Sequence, residues 1–172
     1  MSPVPTSIPV RAAILTVSDA GSRGERADDS GDLIATRLAS LPATVVSRSL
    51  VADEASEITG AVLAAADSAG AELLVITGGT GLAPRDVTPQ TVRPLLDYEV
   101  PGMAEAMRLR GLDSTPHAML SRQVAGVRGR CLVLALPGSP RGVGDCLDAV
   151  WPALPHGLRL LRGEHDTHGR PG

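Results

Sequence analysis

Two apolar runs that stop abruptly at glycine and proline limit what this chain can fold into. Residues 72–77, ELLVIT, run into Gly78, Gly79 and Gly81, and residues 131–136, CLVLAL, run into Pro137-Gly138-Ser139-Pro140. Runs of this length, β-branched at Val75 and Ile76, suit strands buried on both faces. Such strands need helices above and below the sheet. The corners after them begin such helices, since Thr88-Pro89 and Ser139-Pro140 each read as an N-cap followed by proline at the first helical position.

The remaining chain alternates in the same way. A strand is expected over 11–17, ending at Ser18-Asp19, and a polar loop with Arg23 and Arg26 over 21–29. A helix follows from near Ser30, with Leu33, Ile34 and Leu38 on its apolar stripe. A less buried strand spans 44–51 and ends at Ala52-Asp53-Glu54, and a helix over 56–68 is apolar on Ile58, Val62, Leu63 and Ala66. Beyond the glycines come short helices over 89–96 and 103–110, a hairpin turn at 126–129, the 131–136 strand, a helix ending near Trp151 and an apolar segment from His156. This order predicts a three-layer α/β/α domain with a largely parallel central sheet. One domain, 11–162, lies between a flexible amino-terminal arm, 1–10, and a flexible carboxy-terminal tail, 163–172.

Composition excludes several classes. At 172 residues, one domain buries roughly 70% of its unfolded surface and needs no disulfide or metal to fold. One Trp, one Tyr and no Phe leave almost no platform for stacking bases, and a net charge of −3 gives no footprint for a polyanion, so nucleic acid is not an expected partner. Cys131 and Cys146 stand alone, without metal-ligand or CxxC spacing, as buried thiols of a reducing compartment do. No run reaches membrane length and the start, MSPVPTSIPV, lacks a signal-peptide pattern, so a cytoplasmic protein without membrane contact is expected.

In an open α/β sheet, ligands collect at the carboxyl ends of strands. That rule gathers Ser18, Asp19, Asp53, the glycine loop and Pro137-Gly138-Ser139 on one rim. Gly78, Gly79 and Gly81, with Thr80 among them, let a ligand approach backbone amides with no Cβ in the way. The Thr88 corner aims the positive end of a helix at the same loop. Asp86 sits between these anion-attracting elements and repels phosphate unless it holds a cation or takes a proton, which makes it a candidate acid, base or magnesium ligand. Asp19 and Asp53 serve equally well as turn-closing acids, and Ser121 and Arg122 as anion contacts or as surface residues.

GGTG at 78–81 followed by RDVTP at 85–89 closely resembles the molybdopterin adenylyltransferase (MogA/MoaB) family of molybdenum-cofactor biosynthesis proteins. TVSD at 16–19, ADE at 52–54, EVPG at 99–102, LSRQ at 120–123, LPGSP at 136–140 and LPHGL at 154–158 extend the resemblance over about residues 11–161. The resemblance implies transfer of AMP from ATP to the terminal phosphate of molybdopterin with release of pyrophosphate, Mg2+ accompanying the ATP, and a homotrimer. It also implies that Asp53 and Asp86 are the essential acids, close in space and holding or orienting the magnesium ion. The GGTG amides and Thr88 are then expected on phosphate, Pro137, Gly138 and Ser139 on the other substrate, and Ser18, Asp19 and Ser121 nearby. The chain departs from the usual TPE with Gln90. Two other readings stay open. One is a nucleotide hydrolase on the same fold, whose loop tends to read DD rather than RDVTP; the other is a non-catalytic molybdopterin-binding or scaffold protein.

Overall fold

The computed structural model describes residues 9–164. The expected arm and tail therefore lie outside the described residues except at their inner ends, and Val10 is already the first residue of a strand. In chain order the elements are β1 (Val10–Val17), α1 (Asp19–Ser22), α2 (Asp29–Leu38), β2 (Ala43–Val51), α3 (Ala55–Leu63), β3 (Leu73–Thr77), α4 (Thr88–Val92), β4 (Tyr98–Glu99), α5 (Pro101–Leu112), β5 (Val124–Arg128), β6 (Cys131–Leu136), α6 (Pro140–Val150) and α7 (Leu154–Leu161). A π-helical turn, Ala64–Ser68, prolongs α3, and a 3-10 segment, Pro116–Leu120, follows α5.

The six strands form one sheet in the order β2-β1-β3-β6-β5-β4. β2, β1, β3 and β6 are mutually parallel, while β5 runs antiparallel to β6 and β4 antiparallel to β5. β3 and β6 occupy the middle, and every residue in both is buried, as expected for unalternating apolar runs. Because side chains alternate across a strand, their apolar groups divide between two cores. Ile14, Val75, Leu134 and Leu136 pack with Ile34, Met107, Val143 and Leu147 of α2, α5 and α6. Leu15, Leu74, Ile76 and Val133 pack with Ile58 and Val62 of α3 and Val92 of α4. Three layers result. Cys146 belongs to the first core and Cys131 to the second, so the sheet separates the two thiols, and burial pushes each up to about 12.

Several local expectations shift. The helix expected over 103–110 spans Pro101–Leu112. The hairpin closes at Gly129-Arg130, beyond the expected centre, because Arg128 already pairs with Cys131 and Gly129 takes the positive φ of 57° that the turn needs. The loop expected over 21–29 loses its ends, since a one-turn helix, α1, capped by the Ser18 hydroxyl accepting from the Gly21 amide at 3.0 Å, runs through Ser22 and α2 begins at Asp29. At α4 the N-cap is Val87, with no side-chain cap bond; Thr88 lies inside the first turn, fully buried. Ser139, by contrast, caps α6 as its sequence suggests, accepting from the Gly142 amide at 3.1 Å.

Candidate active site

The carboxyl ends of β1, β3 and β6 are locked together before any ligand is considered. Gly78 holds φ at 103°, and a Cβ there would lie 2.1 Å from the Val17 carbonyl oxygen. Gly78 N donates to Leu136 O at 3.1 Å. Two hydroxyls then fix the corner after β6: Thr77 donates to Pro137 O and Ser30 to Gly138 O, each at 2.7 Å. This interlock explains the glycine at 78, where backbone passes against backbone with no room for a side chain; a Cβ at Gly138 would come no nearer than an ordinary contact distance, 3.4 Å, to the Gly78 Cα.

Above the interlock opens a polar cleft of about 330 Å³. Asp53 and Asp86 both line it, together with Ser18, Gly78, Gly79, Gly138 and Ser139, so the two acids expected to meet do face one space. A second hollow, of about 200 Å³, lies between α5, the 3-10 segment and the start of α6, lined by Ser121, Gln123, Pro137 and Ser139. An open trough past Thr80, Gly81, Asp86, Ser121 and Gly138 joins the two. Thr80 and Ser121 share a hydroxyl hydrogen bond of 3.2 Å across it. The site thus has two lobes that meet at Ser139.

The expected residues are not all used alike. Asp19 does not line the cleft. Its carboxylate accepts two bonds from Arg85, each 2.9 Å, and one from the Asp53 amide at 3.0 Å, while the Asp19 amide donates back to Asp53 Oδ2 at 2.9 Å. The Arg85 guanidinium holds the Asp19 carboxyl below the ordinary carboxylate range. Burial pushes Asp53 the other way, above that range, with the charges of Asp19 and Asp86 adding to the effect. Asp86 accepts from the Ala83 amide at 3.0 Å, which closes the loop on itself. Thr88 also lies off the cleft, and among the described residues its hydroxyl has no hydrogen-bond partner.

Two arginines were assigned no settled place by sequence. Arg122 is committed to structure rather than to a ligand: it donates to Gly81 O at 2.9 Å, Asp86 O at 2.6 Å and Gln90 Oε1 at 2.9 Å. Gln90 is the side-chain acceptor in this staple. Arg85 stands in the RDVTP motif, where the sequence assigns it no role of its own. It pairs with Asp19 and with Glu54 at 2.8 Å, tying the glycine loop to the ends of β1 and β2. Its only signal was its position beside Asp86. Thr16, Asp28 and Arg48 form a further network on the cleft's far side, with Asp28 accepting from Thr16 and Arg48 at 2.9 Å each and capping α2.

Residues 13–156 match the family described as "Probable molybdopterin binding domain". The chain is 37% identical over 158 residues to a molybdopterin adenylyltransferase of Helicobacter pylori, covering 91% of this chain and 90% of that protein. Among solved structures it resembles MoaB, a molybdopterin biosynthesis enzyme of Thermus thermophilus, at 55% identity and a TM-score of 0.85, covering 90% of this chain and 97% of the other. The molybdopterin biosynthesis Mog protein of Mycobacterium ulcerans aligns at 36% identity and a TM-score of 0.83, covering 88% and 99%.

Proposed function

The chain belongs to the molybdopterin-binding domain family of molybdenum cofactor biosynthesis, and from that membership we propose that it transfers AMP from ATP to molybdopterin. An oxygen of the terminal phosphate of molybdopterin attacks the α-phosphorus of ATP, the bond from that phosphorus to the bridging oxygen breaks, and pyrophosphate leaves. The convergence of Asp53 and Asp86 on one cleft, between two glycine-lined corners, carries this reading.

The nucleophile is already an anion and needs no base. The barrier is the approach of one anion to another, so positioning and charge neutralisation are the main tasks. Gly79 and Gly81 leave backbone amides open to a ligand, whereas the Gly78 amide is already given to Leu136 O, and the Ser139 corner with Ser121 faces the second lobe, so two phosphorylated substrates can meet at Ser139. Among the described residues no group of three or more Asp, Glu, His or Cys side chains is placed to hold a metal ion. Two carboxylates without a third suit Mg2+, which keeps waters and substrate phosphate oxygens as its remaining ligands. Asp53 and Asp86 would hold it, and when bound it supplies positive charge on the phosphates.

Pyrophosphate release from ATP and molybdopterin, with and without magnesium, tests the reading. Asp53→Ala and Asp86→Ala are each expected to lower turnover at least about a hundredfold with an unchanged far-ultraviolet spectrum. Unaltered turnover in both would remove the two acids from the mechanism.

A homotrimer in the cytoplasm completes the proposal. Leu109 and Leu112 of α5 and Met119 and Leu120 of the 3-10 segment are exposed, on elements that touch at Gly111 and Ala118. Apolar surface of this kind favours self-association. Sedimentation equilibrium reads the assembly directly. No helix among the described residues is long and apolar enough to cross a membrane.

A further inference from the structure

The charge lining the cleft is unbalanced in a way that singles out one residue. Among the described residues four carboxylates, Asp28, Asp29, Asp53 and Asp86, line it, and Arg26 is its single cationic side chain. Arg48 offsets Asp28 through a 2.9 Å ion pair, yet it does not line the cleft. A phosphate entering here meets net negative charge unless Arg26 answers it. Arg26 is available for this, since among the described residues it makes no hydrogen bond or ion pair.

Its neighbour shows what an occupied arginine looks like on the same loop. Arg23 donates twice to Glu25, at 2.8 Å each, and does not line the cleft. The turn at Gly24, with φ at 72°, separates the two side chains. Asp28 then caps α2 two residues after Arg26, which fixes the end of the loop beside the cleft.

We propose that Arg26 is a substrate-binding residue that contacts a phosphate group in the cleft. The proposal rests on the adenylyl-transfer reading for the identity of the ligand, not for the contact itself. A guanidinium fork matches two phosphate oxygens at once. Two phosphates are candidates, the polyphosphate of ATP and the phosphate monoester of molybdopterin.

Arg26→Ala and Arg23→Ala make the same change in net charge three residues apart, so comparing them separates contact from long-range field. Arg26→Ala is expected to raise KM for one of the two substrates about tenfold or more, with kcat nearly unchanged, because the lost contact serves ground and transition states alike. Arg26→Lys recovers part of the loss, and Arg23→Ala stays within about twofold of wild type. Whichever KM moves identifies the phosphate. Calorimetric titration with Mg·ATP and with molybdopterin reads the same contact without turnover. Wild type that binds but does not turn over, with Arg26→Ala binding more weakly, sinks adenylyl transfer and sustains the contact. Arg26→Ala indistinguishable from Arg23→Ala in both assays overturns the proposal, as does a wild type that binds neither compound.

Discussion

Asp19 and Asp53 each accept the other's backbone amide, and Arg85 closes the clasp by gripping Asp19 with two nitrogens. The fork geometry is what a lysine cannot supply. Arg85→Lys is therefore expected to lower turnover about tenfold, as loss of a supporting contact usually does, without lowering the unfolding midpoint, because the pair is solvent-exposed. Asp53 pulls against stability. Its folded pKa lies above the ordinary 3.8, so its stabilising contribution is complete below that value and is lost as pH rises through the folded pKa. Asp53→Asn should thus raise the thermal midpoint at neutral pH without magnesium, and the gain should vanish near pH 3; a midpoint that falls at neutral pH contradicts this. At this scale the acids themselves were legible, through the motifs that carry them. Arg85 was not, because its partner Asp19 lies 66 positions away and no local pattern encodes that distance.

The two strand-to-helix corners look alike as Thr-Pro and Ser-Pro but fold differently. Ser139 reaches the Gly142 amide and caps α6. Thr88 N is drawn instead to Gly79 O at 3.1 Å, and a Cβ on Gly79 would lie 2.3 Å from the Thr88 hydroxyl, so that side chain is packed inward and cannot cap. Ser139→Ala should accordingly cost about 1 kcal/mol in chemical denaturation, and a loss under a few tenths would mean the cap is not stabilising α6. Apolar runs made β1, β3 and β6 readable, and proline made the start of α6 readable. β4, two exposed residues paired with β5, has no sequence signal of its own. The tertiary packing that displaces the α4 cap is equally invisible locally.

The whole molecule is closed at the pole opposite the cleft. Glu72, just before β3, accepts from Arg162 at 2.6 and 2.9 Å and from the Arg11 amide at 2.9 Å, and Arg162 also donates to Pro9 O at 3.3 Å. Arg162 holds the Glu72 carboxyl below its ordinary 4.5. The stability this contributes is present above 4.5 and is lost as pH falls through the lower folded value. Glu72→Gln should cost about 1–2 kcal/mol at neutral pH, between the values for exposed and buried pairs, and the deficit should be smaller at a pH well below 4.5. Urea titrations of both proteins at the two pH values check it, and a deficit independent of pH would assign the loss to packing. Fold class was legible because alternation of runs and helices is a whole-chain property; this junction was not, since it joins residues 153 positions apart. It has a practical corollary. Pro9 and Arg162 are neighbours, so the described chain enters and leaves the fold at one spot on the side away from the cleft. Copies held to a surface at that spot would all turn their working face outward.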